Sequence, residues 1–405
     1  MRPSLRAVFD FAWHSHEFTA TEVIEATALT RSTAISAIDS LVARGILREL
    51  PNLRTTGHYR LGRPARRFEL RDDARILVGV DAGHEHLTIA VANLRGSIIH
   101  THKEHFDLGI TDGVERRHII ERAVDAALDG VGRSRSDVLV ICAGVPAPVD
   151  VNGESPRHRN DFWQLMNPGL RAAFEKWAPI VRVDNDALLA AAAEGASGAA
   201  IGCKNYLTIL AGGRLGAGIV IDGHELRGAH GGMGEMAAFE LVTGVDGAVG
   251  IGHIAVEWAR EEIAQGQGGA LAAIPAETLD GRTILQMAAE GDPAAQAIAE
   301  RLGIMLSRIV GVLSGILNPS LVIIAGAVAD GVAPVIDVAR RELPRLMDLP
   351  VPELVTSDLG ADVVIRGAVT AAKDCAQMHA LDVWASAPDD ASHLPTDRDD
   401  IEMES

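Results

Sequence analysis

Arg31, Ser32, Thr33 and Ser36 place one guanidinium and three hydroxyls on the opening turns of a single amphipathic segment. Groups of this kind hydrogen-bond base edges when the start of a helix enters the major groove of DNA. A second set of cations, Arg54, Arg60, Arg63 and Arg66, lies downstream between two short strand-like runs, 46–50 and 67–70. Flexible arginines on a loop beside such a helix suit phosphate or minor-groove contacts.

The flanking pattern supplies the elements that would position these groups. Residues 4–14 carry Leu5, Val8, Phe9 and Ala12 at helical spacing. Thr19 followed by Glu22 fits a capping box, and the short helix it starts breaks at Thr27-Ala-Leu29. Thr30 can cap the next helix, which is expected to bury Ile35, Ile38, Leu41 and Val42 and to stop at Gly45. That is helix–turn–helix spacing, and Gly57, Gly62 and Pro64 provide turns for a wing. A winged DNA-binding domain over residues 1–75 is the expectation.

Charge supports it. Residues 1–75 hold twelve Arg, no Lys and nine acids, about +3, whereas the whole chain is −18, leaving about −21 for the rest. A basic end on an acidic protein is directed at a polyanion. Arg2 and Arg6 lead straight into an amphipathic pattern, and no apolar run is long or pure enough to span a bilayer. Cys142, Cys203 and Cys375 are scattered and odd in number, which fits thiols in a reducing cytoplasm. The expected location is cytoplasmic, with no membrane partner.

From Ile76 the pattern changes to strands punctuated by glycine. The run 76–80 meets Asp81-Ala-Gly83, and 138–142 meets a turn at Gly144 through Asp150. The run 180–183 meets Asn185-Asp186 and an alanine-rich helix, 206–210 precedes a glycine-rich turn at 212–218, and 321–324 precedes Ala325-Gly326. Repeated strand–glycine–helix joints indicate an α/β fold with loops gathered at strand ends.

In this order the motifs resemble the ROK family, which groups bacterial sugar kinases with sugar-responsive repressors. The specific stretches are 144–150, 183–194 and 216–235, the last reading GAGIVIDGHELRGAHGGMGE. The resemblance implies a fold in which the winged helix–turn–helix is followed, over 76–384, by a two-lobed actin-like ATPase (ribonuclease H-like) domain, its second lobe at roughly 191–365. It matches Asp186 to the family's catalytic base, which accepts a sugar hydroxyl proton in phosphoryl transfer. It also implies sugar contacts at Asn160, Asn185, Glu235 and Glu257.

Departures from the family pattern argue against kinase chemistry. The first phosphate loop reads Asp81-Ala-Gly83-His84-Glu85, where the family has Asp-x-Gly-Gly-Thr, so a hydroxyl has become a carboxylate. The second reads Gly212-Gly213-Arg214-Leu215-Gly216, with Arg in place of Thr. Asp81, Gly83, Gly213 and Gly216 are thus remnants of phosphate loops, and the adenosine-side Gly-Gly is reduced to Ala325-Gly326. The family's structural zinc ligands are missing, since the His position is Ala238 and no Cys lies between Cys203 and Cys375. Neither ATP with Mg2+ nor zinc is therefore expected, and Asp186 becomes a vestigial base.

Residues 293–318 read as a core helix of the second lobe, and 385–405 as an acidic disordered tail. The expected function is a sugar- or sugar-phosphate-responsive repressor that binds operator DNA as a homodimer or homotetramer. The alternatives are an active ATP-dependent ROK sugar kinase and a ligand-independent DNA-binding protein.

Overall fold

The computed structural model describes residues 2–51, 65–107, 109–157, 159, 161–245, 247–326 and 331–386, with residues 385 and 386 as backbone. Arg54, Arg60, Arg63, Asn160 and the acidic tail lie outside the described residues. The chain divides into two compact units: Met1–Ala74 together with the chain from Cys375 onward, and Arg75–Asp374.

In the first unit, α1 (Pro3–His14), β1 (Phe18–Thr19), α2 (Ala20–Thr27), α3 (Arg31–Ala43), β2 (Leu47–Leu50) and β3 (Arg67–Leu70) follow in order. The Thr19 N–H donates to Glu22 at 2.6 Å and the Glu22 N–H returns to Thr19 Oγ1 at 3.4 Å, completing the capping box. Ala28 in the left-handed conformation ends α2, and Thr30 Oγ1 accepts from the Thr33 N–H to start α3. The wing strands form an antiparallel sheet of order β1-β3-β2. The buried face of α3 is Ala34, Ala37, Ile38 and Leu41. The two alanines are fully sequestered where Ile35 and Val42 were expected to be, because small residues let the helices approach closely. The chain end completes this unit: Arg6 donates to the Met378 carbonyl at 2.7 Å, Arg44 to that of Trp384 at 3.1 Å, and the Phe9 and Trp384 rings meet edge-on at 6.1 Å.

The second unit repeats one plan twice. Strands β4 (Ile76–Ala82), β5 (His86–Asn93), β6 (Ile98–His105), β7 (Val138–Val145) and β8 (Ile180–Asn185) form a sheet of order β6-β5-β4-β7-β8. Strands β9 (Tyr206–Ala211), β10 (Leu215–Ile221), β11 (His224–Glu225), β12 (Leu321–Ala325) and β13 (Glu353–Thr356) form another of order β11-β10-β9-β12-β13. Each has three antiparallel strands and then two added in parallel. The central parallel strands β7 and β12 are buried apolar runs, as expected of sheets covered on both faces.

Helices α4 (Gly113–Asp129), α5 (Phe162–Met166) and α6 (Leu170–Phe174) complete the core of the first lobe. Helices α8 (Ile251–Ala264), α9 (Gly281–Ala289), α10 (Pro293–Leu317) and α11 (Ala333–Glu342) cover the second sheet. Asp292 caps α10 and a left-handed Asn318 ends it, and its apolar stripe lies in the core. Between the sheets in sequence lies α7 (Asp186–Ser197). The last helix, α12, spans Val363–Ser386. No helix among the described residues is long and apolar enough to cross a membrane.

Gly218 of β10 lies directly under α7: a Cβ there would collide with the Ala187 carbonyl and the Ala191 methyl. Gly218→Ala is therefore expected to cost about 1–3 kcal/mol through overpacking, measured by denaturant unfolding. An unchanged midpoint would show that α7 can retreat freely.

Candidate functional site

Strand register brings the site residues together. Asp81 pairs with Gly144, and Val145 with Asn185, so the parallel strands β4, β7 and β8 deliver Asp81 and Asn185-Asp186 to one edge. Such carboxyl edges are where α/β sheets bind ligands. Glu235 arrives from the second lobe. Its backbone bridges Gly216, and Gly216 packs against Ala187, the residue after Asp186. Gly234 makes this possible: at φ +91° a Cβ would strike the Ala217 carbonyl, so only glycine can lead into Glu235 there.

Asp186 is the electrostatic centre. Loss of water, then Asp81 and Glu235, push its carboxyl up to about 7, against the Ala187 N–H and His86, which favour the anion. The Ala187 N–H donates to it at 2.8 Å. His86 Nε2 lies 3.0 Å from Asp81 Oδ2, and this bond keeps the half-exposed imidazole more basic than usual despite its partial loss of water. The His86 ring fills the space over Gly83, where a Cβ would overlap it. His84 meets the Phe162 ring edge-on at 5.7 Å, and Glu85 is exposed beside it. The first loop therefore does not offer a phosphate an open backbone cradle.

Asn185 has a different employment from the one expected. Its side-chain oxygen accepts from the Ala187 and Leu188 N–H groups, and its amide donates to the Ala147 carbonyl at 3.1 Å. That assigns it to capping α7. Glu257 is exposed on α8, whose buried residues are Ile251, Ile254, Ala255 and Ala259. The carboxylates that act on Asp186 are instead Asp81 and Glu235. Of the second loop, Gly213 lies in the turn while Gly216 belongs to β10. That turn is packed by its own chain, with the Leu215 N–H donating to the Ala248 carbonyl at 2.8 Å and Gly250 against Gly212. Among the described residues, no group of three His, Cys, Asp or Glu side chains is arranged to hold a metal ion.

On the winged helix–turn–helix unit, Arg31, Ser32 and Ser36 are exposed and Thr33 half-exposed along α3. Arg66 is engaged within its own unit, with Asp39 at 3.0 Å, Glu49 at 2.7 Å and its guanidinium 5.0 Å from the Phe68 ring centre.

Two supports were not anticipated. Arg116 on α4 is buried and donates to the carbonyls of Ala82 and Gly83 at 3.0 and 2.6 Å, over the Phe106 ring. Burial alone brings its pKa down to about 10. It fixes the backbone of the Asp81–Gly83 turn from behind. The second is Asp184, with no exposure, which accepts from Arg182 at 2.7 Å and from both terminal nitrogens of Arg227. Both arginines also reach Glu225, at 2.9 and 3.0 Å. This network ties β8, which delivers Asp186, to the segment after β11, which leads to Glu235.

A winged helix–turn–helix unit and a two-sheet actin-like ATPase fold, with a carboxylate cluster at the strand ends of the latter, define the class. The ROK family profile matches residues 77–374, and the chain belongs to the ROK family. A glucokinase from Halalkalibacterium halodurans is 29% identical over 276 residues, 63% of this chain and 81% of that one. The DNA-binding transcriptional dual regulator NagC of Escherichia coli is 24% identical over 332 residues, 76% of each chain. A crystal structure of a ROK family transcriptional regulator, a homologue of the Escherichia coli Mlc protein, superposes with a TM-score of 0.74 at 20% identity, covering 94% of this chain and 97% of that one. A ROK glucokinase from Streptomyces griseus, in complex with glucose and AMPPNP, gives a TM-score of 0.63 at 24% identity, covering 74% and 99%. Relatives thus include both regulators and sugar kinases.

Asp184→Ala is expected to lower unfolding free energy by about 3 kcal/mol, because two arginines lose their buried partner. Denaturant unfolding measures this, and a loss below about 0.5 kcal/mol would relegate the network to the surface-pair class. The Asp186 shift gives a pH signature. A carboxyl whose folded pKa is raised binds its proton more readily when folded, so stability declines as pH rises from about 4 to about 7. His86, also raised, adds a decline in the same direction as pH passes upward through its folded pKa. Asp186→Asn should flatten the decline between pH 4 and 7 in melting-temperature scans; an unaltered slope would contradict the shift.

Proposed function

We propose that this chain is a sequence-specific DNA-binding transcriptional regulator, a repressor, that responds to a sugar or sugar derivative held by its ROK domain. The observation that carries this reading is the Arg31, Ser32, Thr33 and Ser36 face of α3 within a winged helix–turn–helix, in a chain where the His86 ring lies over Gly83 of the first phosphate loop. The NagC relative, similar over three quarters of both chains, supports it.

Two copies of the chain, in the cytoplasm, bind a pseudo-palindromic operator through paired α3 helices. Asp186 and Glu235 accept hydroxyl hydrogen bonds from the sugar, which bridges a residue of the first lobe and a residue of the second. A sugar that touches both lobes binds one arrangement of the lobes better than others, and that difference in affinity shifts the DNA-binding equilibrium. Asp186 serves as a hydroxyl acceptor here, and neither nucleotide nor metal takes part.

The test is fluorescence anisotropy on a labelled fragment of the DNA upstream of this chain's reading frame, at fixed salt, with and without a panel of sugars. Tight binding altered by one sugar is expected, and Arg31→Ala should weaken it roughly 10- to 100-fold, the worth of a base contact. Specific binding to no fragment, together with sugar-dependent ATP turnover abolished by Asp186→Asn, would instead establish a kinase.

A further inference from the structure

We infer that Ile35 of α3 reads the 5-methyl group of a thymine in the operator, about two base pairs from a guanine read by Arg31. This rests on the DNA-binding reading and adds to it which bases are read, and by which side chains.

The outer face of α3 carries two neighbouring rows at four-residue spacing: Arg31, Ile35 and Asp39 form one, and Ser32, Ser36 and Ser40 the other. The inner face is closed by Ala34, Ala37, Ile38 and Leu41. Ile35 stays half-exposed, between an exposed cation one turn before it and an exposed carboxylate one turn after. A β-branched side chain is stiff, so it presents a fixed apolar surface at little entropic cost. In the major groove thymine alone among the bases offers a methyl group to such a surface.

The neighbours limit what else this face can read. Arg6, Arg48, Arg66, Arg67 and Arg71 each pair with a carboxylate of their own unit. Arg31 has no acidic partner among the described residues, which leaves its N–H fork for the paired acceptors of a guanine. Asp39 is held by Arg66 at 3.0 Å, and Arg66 is held in turn by Glu49 at 2.7 Å. That pairing withdraws Asp39 from cytosine amino groups and offsets its repulsion of phosphate. The hydroxyls at the start of the helix bond to one another, Thr30 Oγ1 lying 3.2 Å from Ser32 Oγ and 2.8 Å from Thr33 Oγ1. A hydroxyl such as that of Ser36 both donates and accepts, so it discriminates little between bases. Arg31 and Ile35 are left as the discriminating groups. Their separation along the helix is about 6 Å, against about 3.4 Å per base pair.

The experiment uses the intact chain. Duplexes with a randomised stretch are enriched for binding, and the recovered sequence is assayed by anisotropy. Each thymine in turn is replaced by deoxyuridine, which removes only the methyl group, and each guanine by 7-deazaguanine, which removes N7. A thymine within about two base pairs of a sensitive guanine is expected to cost about 4-fold in affinity on losing its methyl, the worth of one buried carbon. In Ile35→Ala that penalty should vanish while the guanine keeps its own; in Arg31→Ala the guanine penalty should vanish. Tight binding with no methyl penalty at any thymine, or an Ile35→Ala chain that keeps the full penalty, overturns the inference and leaves the regulator reading intact. Enrichment of no sequence overturns the regulator reading and this inference with it. The methyl is removed from the DNA, so the first comparison needs no variant to fold. Where the melting curve shows Ile35→Ala unfolded, Ile35→Gln, a better helix former with a polar end, takes its place with the same two outcomes.

Discussion

A carboxylate withdrawn from water survives as an anion only if cations and N–H donors replace the lost hydration, and Asp184 is the residue on which this ROK domain stakes that exchange. Two strands of different sheets must end close together for the cleft to exist. One leads into Asp186 at the start of α7, and the other leads into the segment that ends at Glu235. Sheets attract one another through apolar faces, which fix no register between strand ends. The arginine forks of Arg182 and Arg227 do, because a planar guanidinium satisfies a carboxylate in a narrow range of geometries. The apolar cores of the two lobes supply stability, and this network supplies the alignment.

The two glycine-bearing turns beside the cleft are packed by protein contacts. Its loops are not loose remnants. Backbone packing from 248–250 occupies the second turn, and Arg116 together with His86 occupies the first from behind and from above. The carboxylates around Asp186 repel one another and are retained at a cost in stability, the pattern expected where function opposes packing.

Much of this was legible in the residues. Thr19 with Glu22, Thr30 and the position of Gly45 gave the helix–turn–helix because caps are local chemistry, decided within four residues. Strands β4, β5, β7, β9 and β12 also read as apolar runs, whereas residues 215–218, read as part of a glycine-rich turn, begin β10. What could not be read were pairings across long stretches of chain. Asn185 looked like a ligand for a hydroxyl, and only the register of β7 and β8 shows its amide spent on Ala147 and α7. Glu257 was placed by counting across a degenerate stretch, where helix α8 turns it outward. Arg116 left a trace: it stands four residues before Ile120 on the apolar stripe of α4, and a charge in that register needs a buried partner. Asp184 and Arg227 left none, being forty-three residues apart in ordinary polar surroundings.

The winged helix–turn–helix unit is assembled from two stretches far apart in the sequence. Phe9, Arg6 and Arg44 from the first 44 residues take Trp384 and Met378 as partners. Synthesis runs from the amino end, so α1 to α3 leave the ribosome long before the helix they need has been translated. The intervening 300 residues, Arg75–Asp374, form the other compact unit. A chain that stops early therefore carries a recognition helix on an unfinished core. Completion of the winged helix–turn–helix unit therefore requires that the whole ROK domain has been made.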